Sequence, residues 1–218
     1  MPDRRDLTVR KGLIFIISGP AGSGKGTVVN IIRSRTSNVG VSVSATTRSP
    51  RPGEADGVSY HFISREKFEE LLATGEIIEH TEYCSNLYGT MRSEVERITG
   101  EGRDVILEIE VEGAMQVKKL IGDGVVTVML AAPGAAELER RLRGRGTETE
   151  ESIRRRLTRA KDELKTAGKY DYFVTNETGR AEECAELVMK IMEAEYNRSS
   201  RCAEYVSEYI DGLDAILK

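Results

Sequence analysis

The sequence predicts an α/β protein: a three-layer αβα body with a parallel central sheet, interrupted by a mixed α+β segment and carrying a basic helical segment. Three observations predict it. Short apolar runs alternate with amphipathic stretches along most of the 218 residues, as parallel strands joined by crossover helices require. The first run, "GLIFIIS" (12–18), leads into a glycine-rich turn and then a helical pattern. The alternation fails between 45 and 92, where several strand-like runs surround one helix.

The elements follow in order. "GLIFIIS" is short and continuously apolar, as a strand buried on both faces is. After the turn, "TVVNIIRSR" puts Val28, Val29, Ile31 and Ile32 on one helical face. "VGVSVSATT" (39–47) alternates and predicts one strand, leading to the Pro/Gly-rich loop "RSPRPGEADG"; "YHFIS" predicts another. In "SREKFEELLATG" (64–75), Ser64 is the expected cap, Phe68, Leu71 and Leu72 the stripe, and Gly75 the stop. "EIIEHTEY" predicts a strand, and "SEVE" (93–96) a capping box opening a short helix. A strand at 104–110, a helix at 112–121 and a buried strand at 125–133 come next. A helix in "AAELERRLRG" breaks at "GRGTETEES", and the basic helix "SIRRRLTRAKDELKTAG" follows. "YDYFVTN" is the last strand, and "AEECAELVMKIMEAEY" a helix with apolar residues 184, 187, 188, 191 and 192. The C-terminal stretch places Tyr205, Val206, Tyr209, Ile210, Leu213 and Leu217 on one face, expected to pack on the protein's own core or to form a dimer contact.

Composition narrows the class. With 39% hydrophobic and 31% charged residues and a net charge of −4, the chain suits a globular protein rather than one built to coat nucleic acid. Basic charge is local: residues 140–169 hold eleven Lys/Arg against five Asp/Glu. Cys84, Cys184 and Cys202 show no C-x-x-C spacing, so plain thiols in a reducing cytoplasm are expected. "LIFII" is too short for a signal h-region or a membrane span, and residues 1–11 read as a loose leader.

The turn itself carries chemistry. "SGPAGSGKGT" runs Gly19, Pro20, Ala21, Gly22, Ser23, Gly24, Lys25, Gly26, Thr27 after its opening serine. Glycines let backbone N–H groups turn inward around phosphate oxygens, the following helix adds its positive end, and a lysine supplies a mobile charge. A turn that merely needs glycine leaves Lys25 unexplained. Gly26 stands where the common P-loop pattern has Ser or Thr, so the hydroxyl that would touch Mg²⁺ is missing there. In the next loop Arg48 and Arg51 lie three apart, pinned by prolines. They read either as a solvated basic loop or as two forks converging on one anion, with Tyr60 and Tyr88 as further donors.

Five segments, "SGPAGSGKGT", "SVSATTRSPRPGEADGVSYHF", "IIEHTEYCSNLYGT", "ILEIEVEGAMQVK" and "RLRGRGTETEESIRRRL", together resemble guanylate kinase over about residues 12–196. The resemblance implies a P-loop nucleoside monophosphate kinase, with ATP as phosphoryl donor, GMP as acceptor and Mg²⁺ as cofactor. It implies ATP binding by Gly19 to Thr27 and, on the adenine side, Asn176. It implies that Arg48, Arg51, Tyr60 and Tyr88 hold the GMP phosphate and that Ser44, Glu79, Thr90 and Glu110 read the guanine. Glu108 would meet the Mg²⁺ through water, with no direct protein ligand. Lys25, Arg48, Arg145 and Arg156 would be the catalytic cations, with Arg141 a further lid candidate. Chemistry agrees for Glu79: guanine presents N1–H and N2–H₂ side by side, and a carboxylate accepts both. Two features depart from the family. "Glu108-Ile109-Glu110" has glutamates where aspartates are frequent, and Thr90 stands where serine is.

The implied organisation is a P-loop core (12–44, 93–133 and 171–196), a GMP-binding subdomain (45–92), a lid (134–170) and a C-terminal amphipathic extension (197–218). Neither nucleic acid nor membrane is an expected partner, and the oligomeric state is read as monomer or homodimer. The alternative is a non-catalytic, phosphopeptide-binding module of the same fold.

Overall fold

The computed structural model describes residues 11–83, 85–144 and 149–217. Two sheets organise it. The larger is parallel: β1 (Ile14–Ser18) lies between β7 (Asp104–Glu108) and β8 (Val125–Ala131), with β2 (Val39–Val41) outside β7 and β9 (Tyr172–Thr175) outside β8. The smaller has the order β4 (His61–Phe62), β3 (Ala45–Thr46), β6 (Asn86–Met91), β5 (Ile77–Tyr83).

The period of two along β1 splits the core. Phe15 and Ile17 face a cluster closed by α1 (Lys25–Arg35) and α7 (Ala181–Glu195). Ile16 faces the other side, covered by α3 (Arg92–Gly100) and α4 (Val111–Ile121). Each such buried Phe or Ile contributes about 1.5–3 kcal/mol, so a one-residue slip of β1 would disrupt both layers. On the smaller sheet, α2 (Arg65–Ala73) seats Phe68 against Ala45, Ile77 and Leu87. α5 (Ala135–Arg143) and α6 (Glu150–Leu164) pack Leu138, Leu142 and Ala160 together.

Several expectations are met in detail. Ser64 accepts from the Lys67 N–H at 3.2 Å, and Gly75 leaves α2 at φ +76°. Others are corrected. The single strand expected over 39–47 is two: Val39–Val41 joins the large sheet and Ala45–Thr46 the small one. The chain changes sheet at Ser42–Ser44, and alternation alone does not reveal a change of partner. Strand β6 has no counterpart in the sequence reading. Ser93 is no cap, because α3 begins at Arg92 after Met91 and has no side-chain cap bond. The strand expected to reach residue 110 ends at Glu108, leaving Glu110 as the N-cap of α4. Leu187 of α7 faces solvent, while Cys184, Val188 and Met192 are buried. The last helix, α8 (Ala203–Leu217), buries none of its residues, so it is not packed into the protein's own core. Cys84, Arg145 and residues 1–10 of the expected leader lie outside the described residues.

Candidate active site

The site forms at the carboxyl ends of the parallel strands, where open α/β sheets bind ligands. β1 delivers the glycine loop, and Glu108, paired in register with Ile17, stands beside it at the end of β7. The loop needs its glycines. Gly19 has φ +142° and Gly24 φ +89°, and a Cβ on Gly24 would sit 2.4 Å from Asn176 Nδ2. Asn176 is buried and donates Nδ2–H to the Ser23 carbonyl at 2.9 Å. Arg141 donates Nη2–H to the Asn176 carbonyl at 2.8 Å while Glu137 accepts from its Nε–H at 2.7 Å. Arg141 therefore braces the loop from the side of α5. Behind the loop, Ser18 Oγ and Tyr170 Oη are 2.7 Å apart, and burial pushes the Tyr170 phenol up to about 12. Lys25 Nζ–H donates to the Gly19 carbonyl at 2.5 Å, keeping the ammonium at the mouth of the loop.

A cleft of about 340 Å³ opens from Lys25 toward the small sheet. Lys25, Ser44, Tyr60, Glu79, Tyr88, Glu108 and Glu110 are among the residues that line it. Glu79 is 4% exposed and accepts from the Thr90 hydroxyl at 2.6 Å across the β5–β6 ladder. Burial raises its pKa, against the opposing hydrogen bonds from Thr90. Its position is built from α4. Gln116 brackets the next residue, accepting from the His80 N–H and donating to its carbonyl, both at 3.1 Å. Gly113 then lets the carboxylate lie against the helix, since a Cβ there would be 2.2 Å from Glu79 Oε2. Burial also raises the pKa of Glu108, opposed by the charge of Lys25.

Arg48 and Arg51 meet on one carboxylate, that of Glu54. Arg48 donates to Glu54 at 2.9 Å and lies 5.5 Å from the Tyr60 ring centroid; Tyr60 and Tyr88 meet edge to face at 5.9 Å. Arg51 is exposed and gives its backbone N–H to Glu54 at 2.7 Å. Glu54 thus ties the two residues through one carboxylate, and its pKa is lowered chiefly by the Arg48 hydrogen bond. Sequence reasoning missed Glu54, although the spacing Arg48-x-x-Arg51-x-x-Glu54 carries the charge to expect it.

It missed Arg159 as well. This residue lines the cleft, pairs with Glu110, and donates to Glu163 of its own helix at 2.9 Å. Burial raises the pKa of Glu163, against the charge of Arg159. Arg156, the residue singled out on α6, is half-buried and is not among the cleft's lining residues. The basic helix carries no local sign of which arginine meets the cleft.

A glycine loop with its lysine, and a buried carboxylate lining the same cleft at the strand ends, define a P-loop phosphoryl-transfer protein with an acceptor pocket. A family model described as guanylate kinase matches residues 11–195. A guanylate kinase of Lactococcus lactis is 47% identical over 203 residues, 93% of this chain and 98% of that one. One of Bacillus anthracis is 45% identical over 205 residues, 94% and 98% respectively. The crystal structure of guanylate kinase from Anaplasma phagocytophilum superposes with a TM-score of 0.69 at 33% identity, covering 87% of this chain and 89% of that one. The chain belongs to the guanylate kinase family, and it is a nucleoside monophosphate kinase.

Proposed function

We infer that the chain catalyses Mg²⁺-dependent transfer of the ATP γ-phosphoryl group to GMP, giving ADP and GDP. The observation that carries this reading is that Lys25 and Glu79 line one cleft. A cation for polyphosphate and an acceptor for a base that donates twice stand in the same cleft. The glycine loop from Gly19 to Thr27 holds the ATP phosphates. Arg48, Tyr60 and Tyr88 bind the acceptor phosphate, Arg51 joins them from the rim, and Ser44, Glu79, Thr90 and Glu110 orient the guanine. Asn176 acts by holding the loop at Ser23. Arg145 and Arg156 belong to the segment that closes over the transferred group. A groove of about 950 Å³ lies between α4 and α6.

The acceptor phosphate is already an anion and needs no general base. It needs relief from repulsion and alignment, which the cations provide. The residues present suit Mg²⁺ carried on ATP. Glu108 supplies hard oxygen donors beside the loop: a Cβ on Gly26 would lie 3.4 Å from its Oε1. Glu108 would hold the ion's hydration shell; when bound, the ion neutralises and aligns the phosphates.

The compartment we propose is a reducing cytoplasm, on the free thiols of Cys184 and Cys202. No helix among the described residues is long and apolar enough to cross a membrane.

One coupled assay with GMP, dGMP, AMP and UMP as acceptors tests the reading. GDP formation is expected to dominate, and equal turnover of AMP would overturn it. Arg48→Ala should cut turnover at least about 10²-fold, the loss typical of one positioned donor, with ATP affinity nearly unchanged; full turnover in this variant would remove Arg48 from the site. Arg159 acts as a positioning residue that holds Glu110 toward the base. Arg159→Ala is expected to raise KM for GMP several-fold while leaving KM for ATP alone. Combined with Glu110→Ala its effect should be far from additive; strict additivity would separate the two residues.

A further inference from the structure

One polar side chain of the acceptor cleft takes no part in the phosphate or base contacts. Thr81 of β5 lines the cleft together with Glu79 and Tyr88. It is half-buried, and its hydroxyl has no hydrogen-bond partner among the described residues. The ladder of the small sheet fixes where it stands. Glu79 is in register with Thr90, and Thr81 with Tyr88. Residues two apart on a strand share a face and are separated by about 6.8 Å, so Thr81 stands one rung beyond the buried carboxylate. The opposite face of the ladder is occupied. Gly89, between the two rungs, lies against α2, where a Cβ would be 2.9 Å from Phe68 Cζ.

The two rungs differ in chemistry. The first holds the carboxylate of Glu79 with the Thr90 hydroxyl donating to it, an acceptor for base N–H groups. The second holds Tyr88, whose ring meets Tyr60 edge to face, with the Arg48 guanidinium over the Tyr60 ring. That end suits an anion. In a nucleoside monophosphate the sugar joins base to phosphate. With the base at the first rung and the phosphate at the hydroxyl of Tyr88, the sugar crosses the ground between them, and Thr81 is the polar side chain the ladder places there. Its hydroxyl both donates and accepts, as does a ribose 2′-hydroxyl. The 2′ carbon adjoins the carbon that bears the base, so of the two sugar hydroxyls the 2′ lies nearer the first rung.

We propose that Thr81 is a specificity-determining residue that hydrogen-bonds the ribose 2′-hydroxyl of the acceptor, so that the enzyme prefers GMP to dGMP. This sugar contact rests on the reading that puts the base at Glu79 and the phosphate at Tyr88, and extends it to the one part of the acceptor left without a polar partner.

Steady-state kinetics of the full chain with GMP and with dGMP test this on the wild type, Thr81→Val and Thr81→Ser. Valine keeps the branched shape and removes the hydroxyl; serine keeps the hydroxyl. The quantity read is kcat/KM for GMP divided by kcat/KM for dGMP, which does not depend on the fraction of protein that is folded. The wild-type ratio is expected to be about five or more, the scale of one hydrogen bond between neutral groups. Thr81→Val should bring it near one by raising KM for GMP, with dGMP turnover unchanged, and Thr81→Ser should keep the wild-type ratio. A Thr81→Val ratio equal to that of the wild type overturns the proposal, including the case where both nucleotides lose equally, which would set Thr81 against the base or the phosphate. So does a wild type that uses the two nucleotides alike. If the wild type forms no GDP at all, the kinase reading falls and the sugar contact with it; normal GDP formation with an unchanged ratio removes the sugar contact alone.

Discussion

Glu79→Gln is expected to lower kcat/KM for GMP by roughly 10³-fold or more, the scale on which a site built to hydrogen-bond its substrate fails when the pairing is lost. The amide keeps Oε1 as acceptor for Thr90 but turns a donor toward the guanine N–H groups, leaving like facing like. AMP should lose far less, so the GMP-to-AMP ratio narrows. Stability should move the opposite way. Burial raises the folded-state pKa of Glu79; a carboxyl shifted upward favours the fold fully below its unfolded pKa and loses that contribution as pH rises through the folded pKa. The variant is therefore expected to melt higher than wild type at neutral pH and alike in acid. GMP affinity of the wild type should also fall as pH drops through the raised pKa, because the base needs the ionised form. The GMP phosphate titrates in both proteins, so the comparison between them isolates Glu79. Thermal melts and GMP titrations at several pH values read both effects, and an unchanged kcat/KM would remove Glu79 from the acceptor site.

What is legible in the sequence is whatever is local. The run Ile14–Ser18, the glycines at 19 and 24 and the lysine at 25 declare strand, loop and helix within one short stretch, because positive φ and a following charge leave few other uses. Ser64 and Gly75 mark α2 for the same reason. Long-range facts are not legible. β6 reads "NLYGTM", with no clean alternation, and is held by β3 and β5 on either side and by Phe68 beneath Gly89. The pairing of Arg159 with Glu110 joins residues 49 apart, and nothing in a basic helix distinguishes position 159 from 156. The amphipathic pattern of α8 is plain, but periodicity states which face is apolar and not what covers it.

Lys25→Met should abolish most turnover, about 10³-fold in kcat, with little change in fold. Methionine retains an unbranched stem beside the loop and removes the charge. That charge bears on both halves of the reaction. It stands at the loop carbonyls of Gly19 and Pro20, and it opposes the upward pKa shift of Glu108 across the mouth of the cleft. Without it two polyanions must approach with one cation fewer, and their repulsion goes less compensated. ATP binding should weaken less than turnover falls, because the backbone N–H groups of the loop and the start of α1 still hold the phosphates. The loss then lies in the transition state, where charge is shared between the two phosphates, rather than in the ground state. Single-turnover rates and ATP titration separate the two. A variant that binds ATP poorly but turns over normally at saturation would make Lys25 a binding residue only, and would move the neutralisation of the transferred group to the arginines of the 134–170 segment.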